Sequence, residues 1–349
     1  MTAIEEPPVP SWAGHAAFVV WSPRYKGTRS AWLAAELGLP EPLYFAPTTR
    51  RGMRAAPLKY PRQFVTTLVA LVRRRIRVVF VQSPPSFATW TAALYAMLAR
   101  AALVIDAHSD AFERSVWTRP GPLNALVLRR AGVTIVTGSH WAERVAALGG
   151  RAVVVPAVPT RLVVGTPPPL DGFNVAVVAT WAIDEPLGAV FEAARLCPDV
   201  TFHITGRPRN MQRYGGEVVP ANVQLPGFLD EPTYNGLLAH ADAVMCLTTR
   251  DHTMQNGAAE ALYLGTPIIT SDWAILREYF SRGTIHVDNS PGAIAAAVRR
   301  LQEDGATYRA EVRALRDEIV ERWRRDRAAI LATVADQLRA LRRAVPADR

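Results

Sequence analysis

Residues 239–272 read AHADAVMCLTTRDHTMQNGAAEALYLGTPIITSD, and this stretch decides the fold. The run from Ala243 to Leu247 is apolar and of strand length, and Pro267 to Thr270 gives a second strand. Between them lie a polar loop, Thr248 to Gln255, and a helix that opens at Asn256-Gly257. Strand, helix, strand is the repeat of a parallel α/β sheet. The helix start offers free backbone N–H groups and a positive dipole end, which suit phosphate. Glycine and alanine there let a ligand approach the backbone closely. Glu260, one turn further on, can accept hydrogen bonds from ribose hydroxyls. The stretch outlines a nucleotide site.

The same alternation extends outward in both directions. Apolar runs at 15–21, 78–82, 103–106, 133–137 and 152–155 predict strands, and amphipathic segments between them predict helices. Residues 1–14 read as a loose tail and 15–160 as an N-terminal Rossmann-like domain. The basic, proline-punctuated segment 47–61 reads as loop. Residues 161–173, with Pro167-Pro168-Pro169, read as a linker. The alternation restarts over 174–310, a second Rossmann-like domain. Residues 291–301 and 311–344 are expected as helices, so that 311–349 form a long Arg-rich terminal helix.

With 349 residues and 49% hydrophobic composition, each of two domains can bury a full core. No apolar run is long enough to span a bilayer, and the acidic, Pro-rich N-terminus is not a signal peptide. Cys197 and Cys246 read as inert thiols of a cytoplasmic protein. The net charge of +9 is uneven: residues 1–160 hold 19 Lys and Arg against 8 Asp and Glu, whereas residues 161–349 hold 21 against 23. The basic half suits an anionic partner, such as acidic lipid at the inner face of a membrane or a pyrophosphate-linked acceptor. Compositional bias is the alternative, because Arg outnumbers Lys 38 to 2. Nucleic acid is not expected, since the basic residues are not interleaved with aromatics in an RNA-binding pattern.

AAEALYLGTPIITSD resembles the donor-site signature of GT-B glycosyltransferases of the family 4 type. That signature has two glutamates separated by seven residues, a helix, and a Gly-Thr-Pro-Ile-Ile tail. Glu260 and Gly265 to Ile269 match it, while His252 stands where the first glutamate would be. Pro226-Gly227-Phe228-Leu229, Val177 to Trp181, and Val104-Ile105-Asp106-Ala107-His108 are similar to further parts of the family. Gln82-Ser83-Pro84-Pro85 is similar to mannosyltransferases that act on lipid-pyrophosphate oligosaccharides. The resemblance covers roughly residues 15 to 300. It implies two Rossmann-like domains with parallel sheets facing across a cleft and a long C-terminal helix. It implies transfer of a sugar from a nucleotide-diphosphate sugar to a hydroxyl acceptor, lipid-linked or a polysaccharide precursor. The alternatives are a catalytically silent nucleotide-binding or partner subunit and a sugar-nucleotide epimerase of the same fold.

Ligands of open α/β sheets lie beyond the carboxyl ends of the strands, which selects the candidate residues. For the nucleotide these are Gly206, Arg207, Phe228, Leu229, Arg250, Asn256, Gly257 and Glu260. The resemblance places Phe228 and Leu229 beside the base, with plain core packing as the alternative. The family's Arg and Lys after the first strand of this domain are missing, since Trp181 to Pro186 contains no base. Arg207, Arg250, helix N–H groups or a residue of the N-terminal domain are left to meet the diphosphate. The catalytic candidates are His108, Asp110 and His252, with Glu113 beside Asp110. His108 corresponds to a family histidine near the donor sugar or acceptor, and a carboxylate one turn on would serve as general base in an inverting reaction. The loop 22–29, with Lys26-Gly27-Thr28-Arg29, is a further phosphate contact candidate that lacks the P-loop pattern. No carboxylate or His/Cys spacing suits a metal, so no metal or other cofactor is expected.

Overall fold

The computed structural model describes residues 9–23, 28–45, 56–208 and 219–343. The chain divides into two compact units, Met1–Val158 with Arg322–Arg349, and Pro159–Glu321.

In the first unit, β1 (Ala16–Val20), β2 (Leu43–Tyr44), β3 (Val78–Ser83), β4 (Ala102–Ala107), β5 (Val133–Val136) and β6 (Ala152–Val154) form one sheet. All its pairings are parallel, in the order β2-β1-β3-β4-β5-β6. Its strands are continuous runs of Val, Ile, Phe and Ala because both faces are covered. On one face Val79, Val81, Leu103 and Ile105 pack under α2 (Ala56–Arg73), α3 (Ser86–Leu98), α6 (Gly121–Arg130) and α7 (Ser139–Ala147). On the other, Phe18, Phe80, Val104 and Ile135 pack under α1 (Arg29–Glu36) and the last part of α12 (Pro291–Arg343), through Trp323, Ile330 and Val334. Trp323 Nε1 donates to Glu36 (3.0 Å) and Gln337 Oε1 accepts the N–H of Leu103 (3.2 Å), which ties the end of α12 to this unit. Two short helices, α4 (Asp110–Glu113) and α5 (Ser115–Thr118), follow β4.

The second unit holds β7 (Phe173–Val177), β8 (Val200–Thr205), β9 (Val223–Gly227), β10 (Ala243–Cys246), β11 (Ile268–Ser271) and β12 (Thr284–Val287). Their order is β12-β11-β10-β7-β8-β9, again all parallel. The helices are α8 (Leu187–Leu196), α9 (Glu231–His240), α10 (Asn256–Leu264), α11 (Ala274–Tyr279) and the first part of α12. The first strand, β7, lies at the centre, and the strand order reverses between β7 and β10. That is the doubly wound order, whose reversal point opens a crevice at the carboxyl ends of the strands.

Four sequence expectations change. Residues 9–14 are not a loose tail: Trp12 stacks on Phe80 with ring centroids 6.5 Å apart, and a 3₁₀ turn at Ala13–His15 leads into β1. Within the segment expected as loop, residues 56–61 belong to α2, which accommodates Pro61 internally; residues 46–55 lie outside the described residues. The proline-rich stretch 161–173 is laid against α9 rather than hanging free. Gly165 N donates to Pro232 O, Asn235 donates to Val163 O, and a Cβ on Gly236 would sit 2.4 Å from the Gly165 carbonyl. Two glycines allow that backbone contact. Finally, helix extends through residues 302–310 as well, so that the two expected helices meet at a kink at Asp304 (φ −133°, ψ 22°) within α12, whose residues up to Glu321 belong to the second unit and from Arg322 to the first.

Candidate functional site

At the reversal point of the second sheet, the loops after β7 and β10 are joined. Thr248 is the hub. Its hydroxyl donates to Asp184 Oδ2 (3.0 Å), its N–H to Ser271 Oγ (2.8 Å), and its carbonyl accepts from Trp273 Nε1 (3.0 Å) and Asn289 (3.1 Å). Thr249 N donates to the Asp184 carbonyl at 2.7 Å. Glu185 folds back on its own loop and accepts from the N–H groups of Thr180 (2.9 Å) and Ala182 (3.0 Å). Trp181, with a left-handed φ of 61°, buries its indole and donates to Thr205 O (3.0 Å). The loop where the family carries two bases is therefore built from an indole and two carboxylates.

α10 rises from this floor. Its N-cap, Gln255, makes no side-chain capping bond, and Asn256 at the first helical position is exposed. Gly257 is required for packing: a Cβ there would lie 2.6 Å from Val178. The sequence reading gave that glycine to ligand approach, and the close seat of α10 on the end of β7 accounts for it instead. The N–H groups of Gly257 and Ala258 face Cys246, whose thiol burial pushes up to about 12. Gly265, with φ of 80°, closes the helix through bonds to Ala261 and Leu262.

Glu260 is placed by a neighbour that the sequence reading missed. α9 is capped by Asp230, whose carboxylate accepts from Thr233 N (2.9 Å), and this turns Tyr234 toward α10. Tyr234 Oη donates to Glu260 Oε2 at 2.6 Å. Burial raises the Glu260 carboxyl to about 7, aided by the charge of Glu231 and opposed by the Tyr234 bond. A carboxylate with one oxygen bonded and its charge desolvated gains from further donors.

Gly206 and Arg207 follow β8, and Phe228 and Leu229 follow β9. Phe228 is 74% exposed, which removes the core-packing alternative, and the Arg207 guanidinium lies over its ring at 5.5 Å. The two make an aromatic and cationic platform at neighbouring strand ends. Gly206 is needed by the chain itself: its φ is 83° and a Cβ would sit 2.2 Å from the Ala179 carbonyl. Arg250 anchors its backbone on Thr248 Oγ1 at 3.1 Å. His252 takes a left-handed φ of 52° and sets its ring 3.4 Å from the carboxylate of Asp251. Arg209 and Arg213 lie outside the described residues.

In the first unit, His108 Nε2 meets Asp106 Oδ2 at 3.2 Å, and the backbone N–H of His108 donates to Ser83 O (2.9 Å). Asp106 is fully buried at the end of β4. Burial alone would raise its carboxyl, but the charges and hydrogen bonds of Arg29 and His108 bring it down to about 2. An imidazole donating one ring N–H to a carboxylate keeps the other nitrogen as an acceptor. Asp110 instead pairs with Arg114 Nε (3.0 Å) one turn along, within α4 and its cap. The loop expected to meet phosphate gives a correction. Arg29 is buried, bonded to Asp106 (3.2 Å), Val155 O (2.8 Å) and Pro156 O (3.1 Å), so its guanidinium serves the fold; residues 24–27 lie outside the described residues. Among the described residues, no three His, Cys, Asp or Glu side chains are grouped to hold a metal ion.

Residues 175–304 match the family model of glycosyl transferases group 1. No curated protein matches the sequence. In solved structures the chain is similar to HepE of Anabaena in complex with UDP and glucose, with 15% identity, TM-score 0.66, and 91% and 99% of the two chains covered. It is similar to α,α-trehalose 6-phosphate synthase of Burkholderia multivorans, with 14% identity, TM-score 0.57, and 84% and 78% covered. A Listeria monocytogenes protein assigned as a UDP-N-acetylglucosamine 2-epimerase shares 13% identity, with TM-score 0.60 and 86% and 91% covered. The chain has the two-domain GT-B fold, and its match to the glycosyl transferases group 1 model falls within the second unit.

Proposed function

We propose that the chain transfers a sugar from a nucleotide-diphosphate sugar to a hydroxyl acceptor. Glu260 carries the reading, as a desolvated carboxylate held by Tyr234 on the helix beside the sheet's reversal point. Its remaining oxygen accepts from ribose, Phe228 and Leu229 flank the base, and Arg207 and Arg250 meet the diphosphate. The N-terminus of α10 adds its dipole and the Asn256 amide, without a metal. His108, set by Asp106, is the group on the acceptor side, where a basic unit suits a pyrophosphate- or lipid-linked acceptor. HepE was captured with UDP-glucose, which makes a uridine donor the first to try.

The test is a thermal-shift series with UDP, GDP, ADP and dTDP, followed by UDP release from UDP-glucose with and without EDTA. At least one nucleotide should raise Tm, the Glu260→Ala variant should lose that shift, and donor turnover should survive EDTA. No shift with any of the four removes the reading; turnover lost to EDTA and restored by magnesium removes its metal-free part. The loop after β7 supports one second reading, a subunit that binds nucleotide without turnover. Its amides at Thr180 and Ala182 are taken by Glu185, and no base stands there to draw off the leaving phosphate. Nucleotide binding with no donor cleavage would select it.

A further inference from the structure

We propose that the outer face of α2, with the adjoining ends of α3 and α6, docks the chain on a bilayer rich in anionic phospholipid. The inference does not rest on the nucleotide site. No Asp or Glu occurs between Glu41 and Asp106, although ten Lys and Arg do. None occurs in α6 either, so this layer of three neighbouring helices carries no carboxylate. α2 buries Gln63, Thr67 and Leu71 against the sheet side and turns Val65, Val69 and Val72 outward, at 56%, 42% and 62% exposure. Spaced by four and three residues, these valines form one stripe.

Tyr95 of α3 donates to the carbonyls of Leu71 and Ile76, which fixes the end of α2 beside the end of α3. Met97 and Leu98 are exposed there (57% and 73%), and Leu126 of α6 is 62% exposed. Exposed arginines rim the stripe: Arg62 at one end, and Arg73, Arg74, Arg75 and Arg100 at the other.

The chemistry selects the partner. Nucleic acid would take the guanidinium groups but leave the aliphatic stripe of Val65, Val69 and Val72 in water. A protein interface would centre on large anchors seated in pockets, whereas these are short aliphatics on a convex helix. A bilayer surface takes both: lipid phosphate for the arginines, and the acyl boundary for Val65, Val69, Val72, Met97 and Leu98.

The experiment is vesicle co-sedimentation of the full chain with phosphatidylcholine alone and with phosphatidylcholine plus phosphatidylglycerol, at low and high salt. Binding should require the anionic lipid and weaken with salt. Replacing Arg73, Arg74 and Arg75 together by Gln should lower it by about 100-fold, at roughly 1 kcal/mol for each basic residue. Val65→Ser with Val69→Ser and Val72→Ser should leave low-salt binding but abolish what persists at high salt. All these side chains face outward, so both variants should keep the wild-type melting temperature. Equal binding to both vesicles, no binding at low salt, or binding unchanged in the arginine variant overturns the proposal. So does a wild-type dimer that the valine variant dissociates, which would make the face a contact between copies.

Discussion

Two carboxylates, Asp106 on a strand of the first unit and Glu260 on a helix of the second, have opposite fates. Asp106, at the end of β4, is buried among Arg29, His108 and Ser30, and is driven down to about 2. Glu260, in the first turns of α10, is bonded by the Tyr234 hydroxyl, and burial lifts it to about 7. The first charge is neutralised inside the protein and has nothing left to bind. The second is desolvated without compensation, an arrangement that a donor-bearing ligand relieves. In the proposed function Asp106 works through the histidine it orients, whereas Glu260 itself touches the ligand.

The largest effect should come from breaking the compensated side. Arg29→Met leaves a buried carboxylate facing only a histidine and a hydroxyl, at a cost of about 3–5 kcal/mol. Hydrogen exchange of the β4 amides reads that loss locally. The wild-type pH dependence has a defined sign. The folded carboxyl lies below its ordinary 3.8, near 2, so its stabilisation is complete above 3.8 and disappears as pH falls toward 2. An Arg29→Met protein with β4 protection within about 1 kcal/mol of wild type would mean that the pair contributes as little as a surface ion pair.

The uncompensated side should respond in the opposite sense. Glu260→Ala should weaken UDP binding by about 1.5–3 kcal/mol, read by calorimetry, without lowering the melting temperature. In the unliganded protein the folded carboxyl lies above its ordinary 4.5, near 7. Its favourable contribution is therefore full below 4.5 and is lost as pH rises through 7. Glu260→Gln should flatten that part of the stability profile. A ribose diol donates to the ionised form, so wild-type affinity should tighten from about pH 6 to about pH 8, by at most about tenfold per unit, and the Gln variant should not. Parallel profiles for the two proteins would remove Glu260 from the site.

The same contrast shows what the sequence reveals. The alternation of strands and helices, the GT-B fold and Glu260 as a candidate are legible because Val/Ile runs, proline and glycine punctuation and the EALYLGTP pattern are local signals. Tyr234 is not, because it lies 26 residues before Glu260 and looks like any helix aromatic until the Asp230 cap turns it. Arg29 reads as a loop base for phosphate for a similar reason: its partner is 77 residues away, and only the fold of β4 beside α1 brings the two together. Gly206 and Gly257 mislead differently. Both look like ligand-approach glycines, yet each is demanded by a backbone or side chain at the neighbouring end of β7. α4 and α5 escaped notice because four-residue helices carry too little periodicity to register.

The smallest expected effect is the most discriminating. Tyr234→Phe keeps the ring in place and removes one hydroxyl, whose 2.6 Å bond favours the ionised form of Glu260. The loss in UDP affinity at high pH should be about 0.5–1.5 kcal/mol, that of one hydrogen bond. The pH profile should also move. Without the bond that lowers it, the carboxyl rises further, so the pH above which UDP binds tightly should shift upward. Glu231 and Cys246, the other groups that act on the Tyr234–Glu260 pair, are untouched by the change. A purely structural tyrosine would lower affinity by the same factor at every pH. The shift of the midpoint, rather than the size of the loss, decides whether Tyr234 positions the charge or merely fills space beside it.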